Sequence, residues 1–224
     1  MNFIGIDTET TNSYELENGK IELKDSLCYD VGWEVMTEKG ETIKKRSFVV
    51  AEIFLDKDLM SKAYFAEKIP NYWEDIKKGK RELKTLYNIF KKFRKDCKNY
   101  KVSAIFAHNA LFDYRALNNT IRLITGSRMR FFYPYKIELW DTLKMSRDAI
   151  GKTKEYTDFC IKNNYLTNHR TPQNRLTAEI LWRYLSGNND FEESHTGLED
   201  VEIEKEIFLY CLNIKGDVKR RLFE

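Results

Sequence analysis

The chain has 224 residues, enough for one domain over residues 1–224 with a substantial core, and its 38 Lys and Arg against 35 Asp and Glu leave a formal net charge of only +3, too little to imply a nucleic-acid or membrane partner by itself. A hydrophobic fraction of 42% with 33% charged residues is an ordinary soluble balance, and no apolar run approaches the ~18 residues of a membrane span. The N-terminus enters a strand with no signal-peptide architecture, and Cys28, Cys97, Cys160 and Cys211 form no CxxC pair; they are expected to be free thiols in a reducing, cytoplasmic setting.

In chain order, residues 2–7 are the first expected strand. Residues 28–36 and 42–50 follow as strands joined by a turn at Glu38-Lys39-Gly40, giving an antiparallel three-strand start. Helical patterning is expected over 58–67 and 81–97, the latter from Leu83, Leu86, Tyr87, Phe90 and Phe93. Residues 102–107 are a short apolar strand, and Asn109 is placed as the cap of a helix running through Leu117. A strand over 136–140 ends at Asp141, and a helix follows to Ala149. Further helices are expected over 153–162, 176–185 and about 197–213. Strands at the front followed by alternating helices and strands predict an α/β fold with a mixed sheet.

The chemistry lies at three places. In the first strand Asp7 and Glu9 share a face, roughly 6–7 Å apart at the strand rise. Two such acids either sit solvated at a strand end or hold a hard divalent cation between them. In HNALFD, residues 108–113, Asp113 falls one turn into the expected helix. In HTGLED, residues 195–200, Thr196 and Glu199 have capping-box spacing, so Asp200 also falls one turn in. Asp200 shares a stripe with Ile203, Ile207 and Cys211, and an acid on an apolar stripe needs compensation. His195 precedes that helix on a loop that can bring its ring over a metal. His108 is expected to pack or bond locally. Nine Lys and Arg between residues 77 and 95 are either a solvated helix face or a phosphate-contacting flank.

Taken together, FIGIDTETT, HNALFD and HTGLED resemble the three ordered motifs of the DEDDh 3′–5′ exonuclease superfamily, the last in its His-x4-Asp form. Trp140-Asp141-Thr142-Leu143 resembles the strand-end Asp-Thr element found between the second and third, where Asp141 would be supporting. The resemblance spans nearly the whole chain. FDYRALNNT and TAEILWRYLSG look most like stand-alone bacterial or phage-encoded exonucleases.

It implies a ribonuclease H-like mixed β-sheet flanked by helices. It also implies two Mg2+ or Mn2+ ions on Asp7, Glu9, Asp113 and Asp200, with Asp7 shared, and His195 as general base. Thr8, Thr10 and Thr11 would hold the terminal nucleotide, and Asn109 and Phe112 would line its pocket, although Phe112 is equally placed for the core. The expected partner is single-stranded nucleic acid, DNA over RNA, attacked from the 3′ end to release nucleoside 5′-monophosphates. The alternatives are an exoribonuclease or oligoribonuclease, and an inactive nucleic-acid-binding module. The chain ends 24 residues after Asp200, so a free-standing enzyme or a homodimer is expected in place of a subunit with a polymerase-binding tail.

Overall fold

Alternation along the N-terminal strand decides the layering. Ile4 and Ile6 point into one apolar cluster, while Phe3 enters a second on the opposite face of the sheet. The computed structural model describes residues 1–12, 14–15, 21–22, 24–214 and 218–223. Its elements are β1 (Asn2–Thr11), β2 (Tyr14–Glu15), β3 (Ile21–Glu22), β4 (Leu27–Thr37), β5 (Thr42–Val50), α1 (Ala51–Phe54), α2 (Lys57–Met60), α3 (Ile69–Lys77), β6 (Glu82–Lys84), α4 (Leu86–Asn99), β7 (Val102–Ala107), α5 (Leu111–Thr125), β8 (Glu138–Asp141), α6 (Thr142–Ala149), α7 (Lys154–Lys162), α8 (Ala178–Ser186) and α9 (Gly197–Asn213). A six-stranded sheet runs β6-β5-β4-β1-β7-β8, and β2 pairs with β3 alone. β1 is antiparallel to β4 and parallel to β7. The first cluster gathers residues of α1, α3, α4 and α5; the second gathers those of α6, α7, α8 and α9.

The chain leaves β1 toward β4 on one side of the sheet and later adds β7 and β8 on the other. The crevice at the carboxyl ends of β1 and β7 is therefore a topological switch point, where open α/β sheets bind their ligands. β7 pairs with β1 only as far as Gly5, so Asp7 and Glu9 lie beyond the end of that ladder.

Several expected elements differ. Residues 58–67 hold only the end of α2 and the start of a 3-10 turn (Ala66–Lys68), and between them residues 62–64 run back along β1: Tyr64 N–H bonds to the Thr10 carbonyl, and Thr11 bridges Ala63. The free edge of β1 satisfies its backbone there, which outweighs local helix propensity. α3 was masked by Pro70, which sits in the first helical turn, where proline is tolerated. Residues 82–84 pair in parallel with β5, and the helix starts only after Thr85, whose hydroxyl caps it. Asn109 does not cap α5. Its φ is 60°, its N–H donates to Asp141 Oδ1 at 3.1 Å, and Ala110 occupies the cap.

α9 lies across β4 with almost no spacing. A Cβ on Gly32 would stand 2.2 Å from Leu198 N, and one on Gly197 would stand 2.8 Å from Gly32 N and 3.0 Å from the Asp7 carbonyl. Buried Asp30 fastens the contact. It accepts from Gly197 N at 2.9 Å, Tyr72 Oη at 2.8 Å and the Arg81 guanidinium at 3.1 Å, and Arg81 continues to Glu199 at 2.7 Å. Gly32→Ala is expected to cost about 1–3 kcal/mol or more, the scale of overpacking a close contact. A urea midpoint equal to that of the parent chain would show that α9 can lift without penalty.

Candidate active site

β1 delivers Asp7 and Glu9 to the face that α9 covers, and α9 returns Asp200 to them. Their carboxylate oxygens lie within 4.8 Å of one another. They line a cavity of about 730 Å3, together with Thr8, Thr10, His108, Asn109, Phe112, Asp113, Glu193, His195 and Glu204. Asp113 reaches the cavity from the first turn of α5 but lies outside the tight trio; its Oδ1 accepts from Thr8 Oγ at 2.8 Å.

The capping box at α9 is rearranged. Glu199 is drawn to Arg81 and to the Thr196 hydroxyl, and it is Asp200 that accepts the Thr196 N–H at 2.8 Å, with Ser194 Oγ on its other oxygen at 2.8 Å. Asp200 is thus oriented by its own loop.

Burial and mutual repulsion dominate the electrostatics. Asp7 is pushed well above the usual carboxylate range by burial first, then by Asp113, Glu204, Glu9 and Asp200. Glu9 is raised by burial and then by Asp200. Burial raises Asp113 to about 7 against the Thr8 hydroxyl, and Asp200 to about 6 against Ser194 and Thr196. Converging carboxylate oxygens from Asp7, Glu9 and Asp200 suit a hard divalent ion.

His195 has φ 52° and stacks on Phe65 at 4.2 Å between centroids with 10° between planes. Burial and the Lys68 charge lower its pKa, so its ring is neutral near pH 7. A His195 ring nitrogen and carboxylate oxygens of Glu179 and Glu193 also lie within 4.8 Å of one another, but Glu179 is already paired with Arg183 at 2.8 Å.

The remaining expected residues divide. Phe112 is half-buried at the cavity wall and not in the core. Thr8 and Thr10 line the cavity, whereas the fully buried Thr11 donates its hydroxyl to the Leu59 carbonyl and does not reach it. Asp141 supports by accepting from both Asn109 N and Leu143 N, which ties the HNALFD turn to α6. His108 bonds over long range rather than locally, to Thr142 Oγ1 at 3.0 Å and the Leu176 carbonyl at 2.7 Å. Within the 77–95 run, Arg81 is buried structure; Lys84, Lys91, Lys92 and Lys95 line a separate groove beside β6, and Arg147 and Arg175 are the arginines on the cavity wall. Among the residues not foreseen, Glu204 had a legible signal: it follows Asp200 by four positions on the same helix stripe. Phe65 had none, because its contact with His195 is long-range. All four cysteines are buried free thiols, and no helix among the described residues is long and apolar enough to cross a membrane.

No family model and no curated protein matches the chain. Solved structures do. The nuclease domain of 3'hExo, a DEDDh family member bound to rAMP, matches with TM-score 0.61 at 13% identity, covering 98% of this chain and 96% of that one. A full-length 3'-exonuclease gives 0.62 at 12% identity, with 98% and 84% covered. E. coli exonuclease I in complex with a dA16 oligonucleotide gives 0.51 at 12%, with 96% and 41% covered. The chain has the fold of these exonucleases, the ribonuclease H-like mixed sheet flanked by helices that the motifs implied.

Each raised carboxyl contributes stability that is full below its unfolded value near pH 4 and is lost as pH rises through its folded value, about 6 for Asp200 and about 7 for Asp113. The metal-free protein is therefore expected to lose stability from these groups as pH rises from about 4 to about 7. Asp113→Asn should flatten that decline and stabilise the metal-free chain at pH 8 by up to about 4 kcal/mol. A difference between parent and variant that does not grow with pH would show that burial does not raise Asp113 in this way.

Proposed function

We propose that the chain is a metal-dependent 3′–5′ exonuclease that hydrolyses single-stranded nucleic acid, DNA in preference to RNA, to nucleoside 5′-monophosphates. The observation that carries this reading is the meeting of half-buried Asp7 with buried Glu9 and Asp200, one oxygen of each within 4.8 Å of the others, at the switch-point crevice of an exonuclease fold. Asp7 would be shared between two Mg2+ or Mn2+ ions, Glu9 and Asp200 completing one site and Asp113 serving the other. Such ions supply neutralisation of charge on the scissile phosphate and acidification of the attacking water.

The chain's own residues supply the rest. His195, neutral and stacked on Phe65, accepts the proton of the attacking water at a ring nitrogen. Its stack and its left-handed backbone hold the ring at the cavity wall. Thr8 and Thr10 border the carboxylates where the terminal nucleotide would sit, and Asn109 and Phe112 form the adjoining wall. Arg147 and Arg175 offer guanidinium groups to backbone phosphates further along the strand.

Digestion of matched 5′-labelled single-stranded DNA, duplex DNA and RNA with Mg2+, Mn2+ or EDTA tests the activity. A ladder shortening from the 3′ end, fastest on single-stranded DNA and absent in EDTA, is expected; cleavage that persists in EDTA contradicts the proposal, and faster loss of RNA makes the enzyme an exoribonuclease. In the same assay Asp7→Asn should abolish cleavage, and His195→Ala should lower kcat by roughly 10²–10⁴ while metal binding survives. Near-normal turnover by His195→Ala would remove the base from the mechanism. Replacing both Arg147 and Arg175 with Gln should raise KM and flatten its dependence on salt, with kcat little changed. A KM that holds at low salt would take these arginines out of the substrate path.

A further inference from the structure

Glu204 is a carboxylate that the proposed mechanism does not use. It sits on α9 four residues after Asp200, is only 3% exposed, and lines the same cavity as the four acids. One side of the carboxyl meets the backbone N–H of His108. The Oε2 atom is buried with no hydrogen-bond partner among the described residues. The charged groups that act on Glu204 are all acids, Asp113 foremost and then Glu193 and Asp200, and Glu204 in turn acts on Asp7. Among the described residues no lysine or arginine forms an ion pair with it. Neighbouring positions of α9 on the sheet-facing side, Ile203, Ile207 and Phe208, show that an apolar residue packs well on this helix. A buried carboxylate oxygen without a donor is costly, and Glu204 belongs to the wall of the cavity that holds the four acids.

We propose that Glu204 is a fifth carboxylate of the metal centre, contributing Oε2 to the cation on the Asp113 side. This rests on the reading of the site as a metal centre. Asp113 and Glu204 both line the cavity outside the trio formed by Asp7, Glu9 and Asp200, so a second cation on that side has fewer acidic ligands, and Glu204 would make up the difference. The Thr8 hydroxyl already occupies one Asp113 oxygen, which sharpens the need.

The test is Mn2+ binding to the full chain without substrate, followed by calorimetry and by electron paramagnetic resonance of bound Mn2+. The parent chain is expected to bind two ions. Glu204→Gln, which keeps shape and removes the charge, should weaken one site ten-fold or more and leave the other within about three-fold, with an unchanged circular dichroism spectrum. Glu204→Met, which fills a similar volume without an oxygen ligand, should give the same selective loss and serves if the Gln variant fails to fold. Two unchanged affinities in a folded variant overturn the role of Glu204 while leaving the metal centre standing. Absence of Mn2+ binding by the parent chain overturns both.

Discussion

The contact on which the site depends is the one between the backbones of Gly32 and Gly197. With no Cβ on either residue, the first turn of α9 rests directly on β4, opposite Asp7 in the β1–β4 register. Any side chain there would raise the helix and carry Asp200 away from Asp7 and Glu9. The same residues make the contact specific. Asp30 takes the Gly197 N–H as well as the Arg81 guanidinium, so the helix is keyed to one position along the strand. A buried ion pair of this kind adds little net stability, because desolvation offsets the attraction, and register is the role it suits best.

The consequence is a region in which the protein works against itself. Asp7, Glu9, Asp113, Asp200 and Glu204 line one crevice, where burial raises all five and the neighbouring acids further disfavour charge on Asp7, Glu9 and Glu204. The two apolar clusters on either face of the sheet hold this arrangement. Phe106 stacks on Phe208 at 3.9 Å between centroids and occupies the space left by Gly5, which locks α9 to β7 as Gly32 locks it to β4. Local strain of this sort is expected where function, not stability, sets the residues.

Much of this was legible in the sequence because it is periodic or local. Alternation in β1 paired Asp7 with Glu9, and helical spacing put Asp113 and Asp200 one turn into their helices, where the structure has them. What was not legible depended on partners distant in the chain. The return of residues 62–64 along β1, the parallel pairing of 82–84 with β5 and the conversion of Asn109 from cap to left-handed turn all answer hydrogen-bonding demands set by another segment. Arg81 was hidden in a run of surface lysines, because composition does not distinguish a buried guanidinium from a solvated one. Glu204 was visible in principle; reading the stripe of α9 at offset four as well as three would have found it.

The central claim is that these carboxylates form a divalent-metal centre, and the most direct measurement is anomalous scattering at the manganese edge from crystals grown with Mn2+. The account predicts peaks in the crevice, one among Asp7, Glu9 and Asp200 and one toward Asp113, with His195 outside ligand distance of both. Density that is featureless there, or a peak confined to Glu179, Glu193 and His195, would contradict it.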